Sequence, residues 1–124
     1  MHKTTNSHFG LNYDNFIGGL SQKNNLEKNW SDFFINQRLV PQLSFGVFSS
    51  QFLLSFDKLF VKIDSLFPKE PPSLLHGDLW SGNFLVGHSK PVVVDPSVYF
   101  GFREIDIAMS TLFGGFNIRF YDSY

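Results

Sequence analysis

The stretch from Leu74 to Pro96 constrains this chain more than any other part of its 124 residues. Apolar, strand-like runs at 84–86 and 92–94 flank a five-residue connection at 87–91. That connection contains the Gly and Pro residues that are typical of hairpin loops. The stretch therefore predicts a small antiparallel hairpin that follows a polar loop.

Three polar side chains accompany the predicted hairpin. Asp78 lies in the loop, Asn83 comes five residues later, and Asp95 comes twelve residues after that. If the hairpin closes symmetrically, Asn83 lies opposite Asp95 at its open end, with Cβ atoms about 4.5–5.5 Å apart. An amide and a carboxylate at that separation can share hard cations, which take oxygen ligands at about 2.0–2.6 Å. Asp78 would then lie within reach of whatever the metal ions hold.

The order and spacing of these three residues are those that protein kinases use for phosphoryl transfer. In protein kinases the first Asp accepts the proton of the attacking hydroxyl, while the Asn and the second Asp hold Mg²⁺ against the nucleotide phosphates. Taken singly, each residue also fits an ordinary turn, because Asp, Asn, Gly and Pro dominate turns. The joint pattern favours the catalytic interpretation.

The letters around these residues differ from those of protein kinases. His76-Gly77-Asp78 stands in place of His-Arg-Asp, and Asp95-Pro96-Ser97 stands in place of Asp-Phe-Gly. Both resemble the small-molecule kinases related to aminoglycoside phosphotransferases. The strings HGDLWSGN, DPSVYFGFREIDIAM and LFGGF resemble more narrowly the fructosamine, or ketosamine-3-, kinases, over most of the chain from about His8 to Tyr124. This resemblance implies a protein-kinase-like fold, of which the chain would be the C-terminal catalytic lobe.

The resemblance also implies an activity. The enzyme would transfer the γ-phosphate of ATP to a sugar hydroxyl of a ketosamine, which is an amine or protein lysine that carries a rearranged sugar. Because the phosphorylated sugar becomes unstable and leaves, the reaction would repair glycated protein. Asp78 would be the catalytic base, and Asn83 and Asp95 would be the Mg²⁺ ligands.

Three further residues receive supporting roles. The ring of His76 is expected to support the backbone of the catalytic loop. Asp106, in the first turn of a predicted helix at 103–113, suits the helix dipole, and the resemblance implies that it also braces the catalytic loop. The ring of Trp80 would either face the sugar or pack in the core.

Length and composition predict one small folded domain over residues 1–124, and the resemblance implies that it is a partial, mainly helical α+β domain with a small catalytic hairpin. Hydrophobic residues make up 43% of the chain, and 16 Phe residues predict either an aromatic-rich core or a large apolar surface that awaits another part of the protein. A net charge of -1 disfavours nucleic acid and anionic membranes as partners. The absence of Cys excludes disulfides, Cys-based zinc sites and a thiol nucleophile. We expect a cytoplasmic protein, since no signal peptide or apolar run of membrane-spanning length is present.

Two more helices are predicted before the catalytic stretch. Trp30, Phe33, Phe34 and Gln37 share a helical face that should end at Pro41, with Asn29 or Ser31 as the N-cap. A longer helix at 49–66 carries a stripe of apolar side chains, which we expect to pack inside its own domain.

The first 25 residues are polar and rich in turn-forming residues. We interpret Gly18-Gly19 as an ordinary loop, because no GxGxxG pattern surrounds it. His2, Lys3 and His8 are expected to form a solvated terminus and not a metal site.

The chain lacks two features that a kinase of this fold needs, namely a Gly-rich loop and a strand lysine that clamp the phosphates. Lys62 follows Val61 but lies in a helical pattern. We therefore expect the N-terminal nucleotide lobe to be absent or supplied by another chain, and the chain alone to phosphorylate nothing measurable.

Three alternatives remain. The chain could belong to another small-molecule kinase that acts on an aminoglycoside or a choline-like amino alcohol, although Trp80 and the GFREIDIAM string favour the ketosamine kinases. It could be a non-catalytic remnant of a kinase fold. A metallophosphoesterase would need several His ligands, and only His76 and His88 lie near the candidate site.

Overall fold

The computed structural model describes residues 1–88 and 90–124 of the chain. Its strands and helices occur in separate groups along the chain, which confirms the predicted α+β class. The strands are β1 (Asn15–Ile17), β2 (Leu20–Gln22), β3 (Ser73–Leu75), β4 (Phe84–Val86), β5 (Pro91–Val93) and β6 (Tyr99–Gly101). The helices are α1 (Trp30–Phe34), α2 (Val40–Leu43), α3 (Ser50–Leu66), α4 (Glu104–Leu112) and α5 (Ile118–Asp122). In the described part of the chain, no helix is both long and apolar enough to cross a membrane.

The strands form three small antiparallel pairs. β1 pairs with β2 across a Gly18-Gly19 turn, β4 pairs with β5 as the predicted hairpin, and β3 pairs with the distant β6. The register of β3 and β6 places Leu75 opposite Tyr99. This pair matters most for the candidate site, because the chain leaves β3 directly into the loop that carries Asp78.

The buried core is aromatic, as the Phe content predicted. Trp30 lies at its centre, with its ring centroid 4.8–6.0 Å from those of its aromatic neighbours. The core side chains are Phe9, Trp30, Phe33, Leu75, Tyr99 and Phe102. Because four of them come from α1, β3 and β6, the core fixes the β3–β6 pair against the first helix.

The first helix does not end at Pro41, where the sequence predicted that it would. α1 continues through a π-helical segment, Ile35–Leu39, into α2, so that Pro41 lies in the first turn of α2. Because the helix is continuous here, an N–H at position 41 would bond within it, and the proline removes that bond at the point where the π-helical segment ends. Asn29 is the N-cap by position, but its side chain makes no capping hydrogen bond.

The apolar stripe of α3 is only partly covered, so the expectation that it packs inside its own domain holds in part. Phe56, Leu59 and Phe60 are partly buried, whereas Phe52 is 42% exposed. Among the residues of this helix only Ile63 is fully buried, at 2% exposure, whereas Val61 is 88% exposed. Phe52 and Phe56 lie against each other along the helix surface, with ring centroids 5.1 Å apart. The helix begins as predicted, since the side chain of Ser49 accepts a hydrogen bond from Phe52 N.

Helical spacing predicts that Ile105, Ala108, Met109 and Leu112 share an apolar face. In the structure, however, α4 buries a polar face. Its fully buried residues are Asp106 and Ser110, whereas Leu112 is 66% exposed. The hydroxyl of Ser110 donates to the carbonyl of Ile107 at 2.7 Å. A buried carboxylate requires hydrogen-bond donors, and for Asp106 those donors lie in the candidate site.

Candidate active site

The loop after β3 carries Asp78, whose side chain is partly buried. The side-chain amide of Asn83 donates from Nδ2 to the Asp78 backbone oxygen at 2.9 Å and to Asp78 Oδ2 at 3.0 Å. Asn83 itself is only 7% exposed and ends a single 3₁₀ turn, Ser81–Asn83, that precedes β4. The structure therefore brings together two of the three predicted site residues.

The hairpin of β4 and β5 forms with a register one residue away from the predicted one. Phe84 lies opposite Val93 and Val86 lies opposite Pro91, so Pro91 belongs to the strand and not to the loop. A proline is tolerated as the first residue of a strand, where it removes no ladder hydrogen bond. The predicted connection at 87–91 also includes Ser89, which lies outside the described residues.

This shift corrects the expected pairing of Asn83 with Asp95. Asn83 lies beside Val94, whose N–H donates to the Asn83 backbone oxygen at 3.0 Å. Asp95 follows immediately, is exposed, and has a φ of 56°. A left-handed conformation is uncommon outside glycine, although Asp adopts it more readily than most residues. Asp95 therefore lies one residue beyond the position opposite Asn83, which symmetric closure predicted for it. The chain turns away from the hairpin at Asp95.

The ring of His76 connects the loop that carries Asp78 to the residue that follows β5. His76 Nε2 lies 3.0 Å from the carbonyl oxygen of Val94, which can only accept, so Nε2 carries the proton. The His76 backbone oxygen in turn accepts from Ser97 N at 2.8 Å. The residue is 1% exposed. Its two contacts hold the segments before and after Asp95 against the loop that carries Asp78.

Asp106 binds the backbone of the same loop from α4. Its Oδ2 accepts from His76 N at 2.7 Å, and its Oδ1 accepts from Gly77 N at 2.9 Å. The side chain is 1% exposed. A buried carboxylate that accepts backbone N–H groups makes strong, charge-assisted hydrogen bonds. These are the contacts that the predicted bracing role requires.

Gly77 is the residue at which this loop needs glycine. Its φ is 82°, and a Cβ at this position would overlap the carbonyl oxygen of Ser97. An L side chain would therefore meet both backbone strain and a steric clash.

Trp80 lies at the rim of the site and is partly buried. Its ring packs edge-on against that of Phe113, with ring centroids 5.6 Å apart, and covers Gly82. Phe113 is itself 66% exposed. The two rings form an aromatic surface next to the loop that carries Asp78.

Sequence reasoning missed a set of amide side chains on the β1–β2 hairpin. Gln22 Nε2 donates to Asn15 Oδ1 at 2.9 Å and to the carbonyl oxygen of Ser97 at 3.1 Å. Asn15 Nδ2 donates to the carbonyl oxygen of Val98 at 2.8 Å. These amides hold the segment that follows Asp95. A Gly-Gly pair between two short strands was the available signal for this hairpin.

Behind the site, Tyr99 and Arg38 form a buried pair. The guanidinium carbon of Arg38 lies 4.1 Å from the centroid of the Tyr99 ring. Burial raises the pKa of Tyr99 to about 12, although the nearby Arg38 opposes this shift. Burial also lowers the pKa of the Arg38 guanidinium. The phenol therefore stays neutral, and it belongs to β6, the strand that leads towards Asp106.

A loop carboxylate held by an amide at the mouth of a short hairpin is the arrangement of kinase-type phosphotransferases. The fructosamine kinase family model matches residues 1–124, and the chain belongs to this family. The predicted family is thereby confirmed.

Named relatives agree with this assignment. The chain is 43% identical over 131 residues to a probable ketoamine kinase of Enterococcus faecium, covering 100% of this chain and 47% of that protein. It is 37% identical over 121 residues to the ketosamine-3-kinase of Mus musculus, covering 94% of this chain and 39% of that protein. The chain thus spans less than half the length of these relatives.

A solved structure shows the same fold. A presumed fructosamine-3-kinase from Thermobifida fusca superposes with a TM-score of 0.83 at 36% identity. The match covers 91% of this chain and 41% of that one.

Proposed function

We propose that this chain carries the catalytic loop and metal-binding hairpin of a kinase that transfers the γ-phosphoryl group of ATP to a sugar hydroxyl of a ketosamine. The observation that carries the proposal is the double hydrogen bond from the Asn83 amide to Asp78. It fixes the predicted base and one predicted metal ligand relative to each other. The mouse relative's name, ketosamine-3-kinase, supports the substrate class.

Asp78 would act as the base. In the transfer, the sugar hydroxyl oxygen forms a bond to the γ-phosphorus while the bond to the β,γ-bridging oxygen breaks, and ADP leaves. The hydroxyl proton passes to the Asp78 carboxylate. Because Oδ2 is held by Asn83, the other carboxylate oxygen is the one oriented for the substrate. Removal of the phosphorylated sugar from the amine would complete protein deglycation.

Asn83 and Asp95 fit the role of Mg²⁺ ligands by their donor atoms. Both offer oxygen, which Mg²⁺ prefers, and the Asn83 N–H groups are directed at Asp78, which leaves Oδ1 for a metal ion. Among the described residues, no three His, Cys, Asp or Glu side chains could hold a metal ion together. Mg²⁺ in kinases takes its remaining ligands from water and nucleotide phosphates, whose charge it neutralises.

The substrate would lie against the aromatic surface of Trp80 and Phe113. Sugar rings present apolar C–H faces that pack on aromatic rings. Trp80 is two residues from Asp78, so a sugar on its ring would lie near the base.

The test of the metal site uses the 124-residue chain and Mn²⁺ as a paramagnetic substitute for Mg²⁺. With ATP present, we expect Mn²⁺ to broaden the amide resonances around Asn83 and Asp95, and we expect Asp95→Ala to abolish this broadening. Asp122→Asn, at an exposed carboxylate in α5, is the matched control and should leave the broadening unchanged. Broadening that is absent, or centred elsewhere, would favour the non-catalytic remnant and overturn the proposal.

The chain by itself should show no turnover of a fructosamine or ribulosamine with ATP and Mg²⁺, because its sequence contains neither a Gly-rich phosphate loop nor a strand lysine. A steady-state assay decides this point. Turnover that Asp78→Asn abolishes would contradict the expected inactivity while supporting Asp78 as the base.

A further inference from the structure

The N-terminal segment lies along β3. Of the three residues that were expected to form a solvated terminus, Lys3 is exposed, whereas His2 and His8 are partly buried. Leu74 N donates to the Thr4 backbone oxygen at 2.8 Å, and Asn6 N donates to the Pro72 backbone oxygen at 3.0 Å. Thr5 forms a bridge to Ser73. These backbone contacts bring the residues at the start of the segment next to α4.

The ring of His2 uses both of its nitrogens in this position. Nε2 lies 2.9 Å from Asp106 Oδ2, and Nδ1 lies 2.8 Å from the Tyr124 hydroxyl. A carboxylate oxygen can only accept, so Nε2 carries a proton. In the neutral ring, Nδ1 then accepts from the Tyr124 hydroxyl. The side chain of His2 is only 19% exposed.

His2 thus provides the third donor to Asp106. The other two donors are the backbone N–H groups of His76 and Gly77. Asp106 is 1% exposed, and a carboxylate buried to that degree depends on donors to replace its lost hydration. Without His2, each carboxylate oxygen keeps only one backbone donor, and the orientation of the carboxylate towards the loop is less firmly fixed.

We propose that His2 is a positioning residue for phosphoryl transfer. It fixes the orientation of the Asp106 carboxylate, which in turn holds the His76–Gly77 backbone from which Asp78 extends. His2 acts through Asp106 and does not touch the substrate. The inference rests on the proposed function for its catalytic meaning, but its structural content can be measured independently.

The experiment is amide hydrogen exchange measured by NMR on the whole chain. In His2→Ala we expect the amides of His76 and Gly77 to exchange about tenfold to a hundredfold faster, the range expected when a hydrogen bond to a charged group is weakened. Phe33, in the core, is the reference for global unfolding. Equal acceleration at Phe33 would mean that His2 contributes only general stability, and it would overturn the proposal.

Two conservative variants separate the hydrogen bond from the packing of the ring. Gln places an amide N–H about as far along the side chain as Nε2, so His2→Gln should restore slow exchange at His76 and Gly77. Asn reaches only the depth of Nδ1, so His2→Asn should behave like His2→Ala. His8→Ala, at a histidine that contacts Ser7 and not Asp106, should leave both amides unchanged.

The two proposals fail separately. If Mn²⁺ still broadens Asn83 and Asp95 while His2→Ala leaves the His76 and Gly77 amides unchanged, the positioning role is wrong and the proposed function stands. If His2→Gln alone restores slow exchange but Mn²⁺ broadens no site, the link between His2 and the loop stands and its catalytic meaning does not.

Discussion

Asn83 donates two hydrogen bonds to Asp78, one to its backbone oxygen at 2.9 Å and one to its carboxylate at 3.0 Å. The two residues are five positions apart and are joined by a single 3₁₀ turn. This contact joins the loop that carries Asp78 to the start of the β4–β5 hairpin. A displacement of either residue would therefore displace the other.

Replacing Asn83 with Ala should lower the free energy of unfolding by about 1–3 kcal/mol, since both hydrogen bonds to Asp78 are lost and one of them ends on a charged group. Urea denaturation measures this change. Asn36→Ala, at an exposed amide in the π-helical segment, is the matched control and should cost no more than about 0.5 kcal/mol. Equal effects at the two positions would show that the Asn83 contact contributes little to stability.

The sequence predicted the local features of this site better than its long-range ones. The start of α3 near residue 49 and a hairpin after Asn83 follow from signals within a few residues, and both are present. The register was missed because Pro91 was counted as a turn residue, and a one-residue shift moves every pair. The contact between His2 and Asp106 spans 104 positions and carries no local signal.

The partly covered apolar stripe of α3 shows a second limit of prediction from sequence. A helical pattern predicts that a face is apolar, but it does not predict what covers that face. In the described residues, the phenylalanines of α3 contact mainly one another. Family membership was predictable because the strings around Asp78 and Asp95 are specific. The roles of Asp78, Asn83, Asp95, His76, Asp106 and Trp80 stay predictions.

Asp106→Asn should destabilise the chain by about 2–4 kcal/mol, because a side-chain amide presents only one acceptor oxygen to two backbone N–H groups. The same variant should speed amide exchange at His76 and Gly77 more than at Phe33. Chemical denaturation and hydrogen exchange provide the two measurements. If the free energy of unfolding of the Asp106→Asn chain lies within about 0.5 kcal/mol of that of the parent, the bracing role is contradicted. Asp57→Asn, on the exposed face of α3, is the control.

Tyr99 should make stability fall at high pH. Burial raises its pKa in the folded state to about 12, compared with about 10 in an unfolded chain. The folded chain therefore keeps this proton when the unfolded chain loses it, so stability is full below pH about 10 and declines as the pH rises towards about 12. A shift of this size corresponds to about 2–3 kcal/mol.

The Tyr99→Phe variant is the control for this pH effect. It keeps the ring against Arg38 but has no proton to lose. Unfolding free energies measured between neutral pH and pH about 11 should decline less steeply in the variant than in the parent. Parallel pH profiles would exclude Tyr99 as the cause.

Truncation of two apolar residues on α3 should change the free energy of unfolding by very different amounts. Ile63 is 2% exposed and Val61 is 88% exposed. Ile63→Ala should cost about 2–5 kcal/mol because it leaves a cavity, whereas Val61→Ala should change stability by no more than about 0.5 kcal/mol. Thermal or urea unfolding of both variants tests this comparison. A large loss at Val61 would show that the exposed face of α3 is covered in solution.

Gly77→Ala should disrupt the catalytic loop, and Gly18→Ala provides a closely matched comparison. Both glycines have positive φ, 82° and 54°, so an Ala at either position meets left-handed strain of about 1–2 kcal/mol. Only Gly77 also has a backbone carbonyl, that of Ser97, in the space that a Cβ would occupy, whereas Gly18 has open space around it. We therefore expect a loss of about 2–5 kcal/mol for Gly77→Ala, with strain and overpacking combined, and about 1 kcal/mol for Gly18→Ala. Since Ser97 N donates to the His76 carbonyl, displacement of Ser97 should also shift the amide resonances of the loop. Similar stability losses in the two variants would show that the close approach to Ser97 is not what requires glycine at position 77.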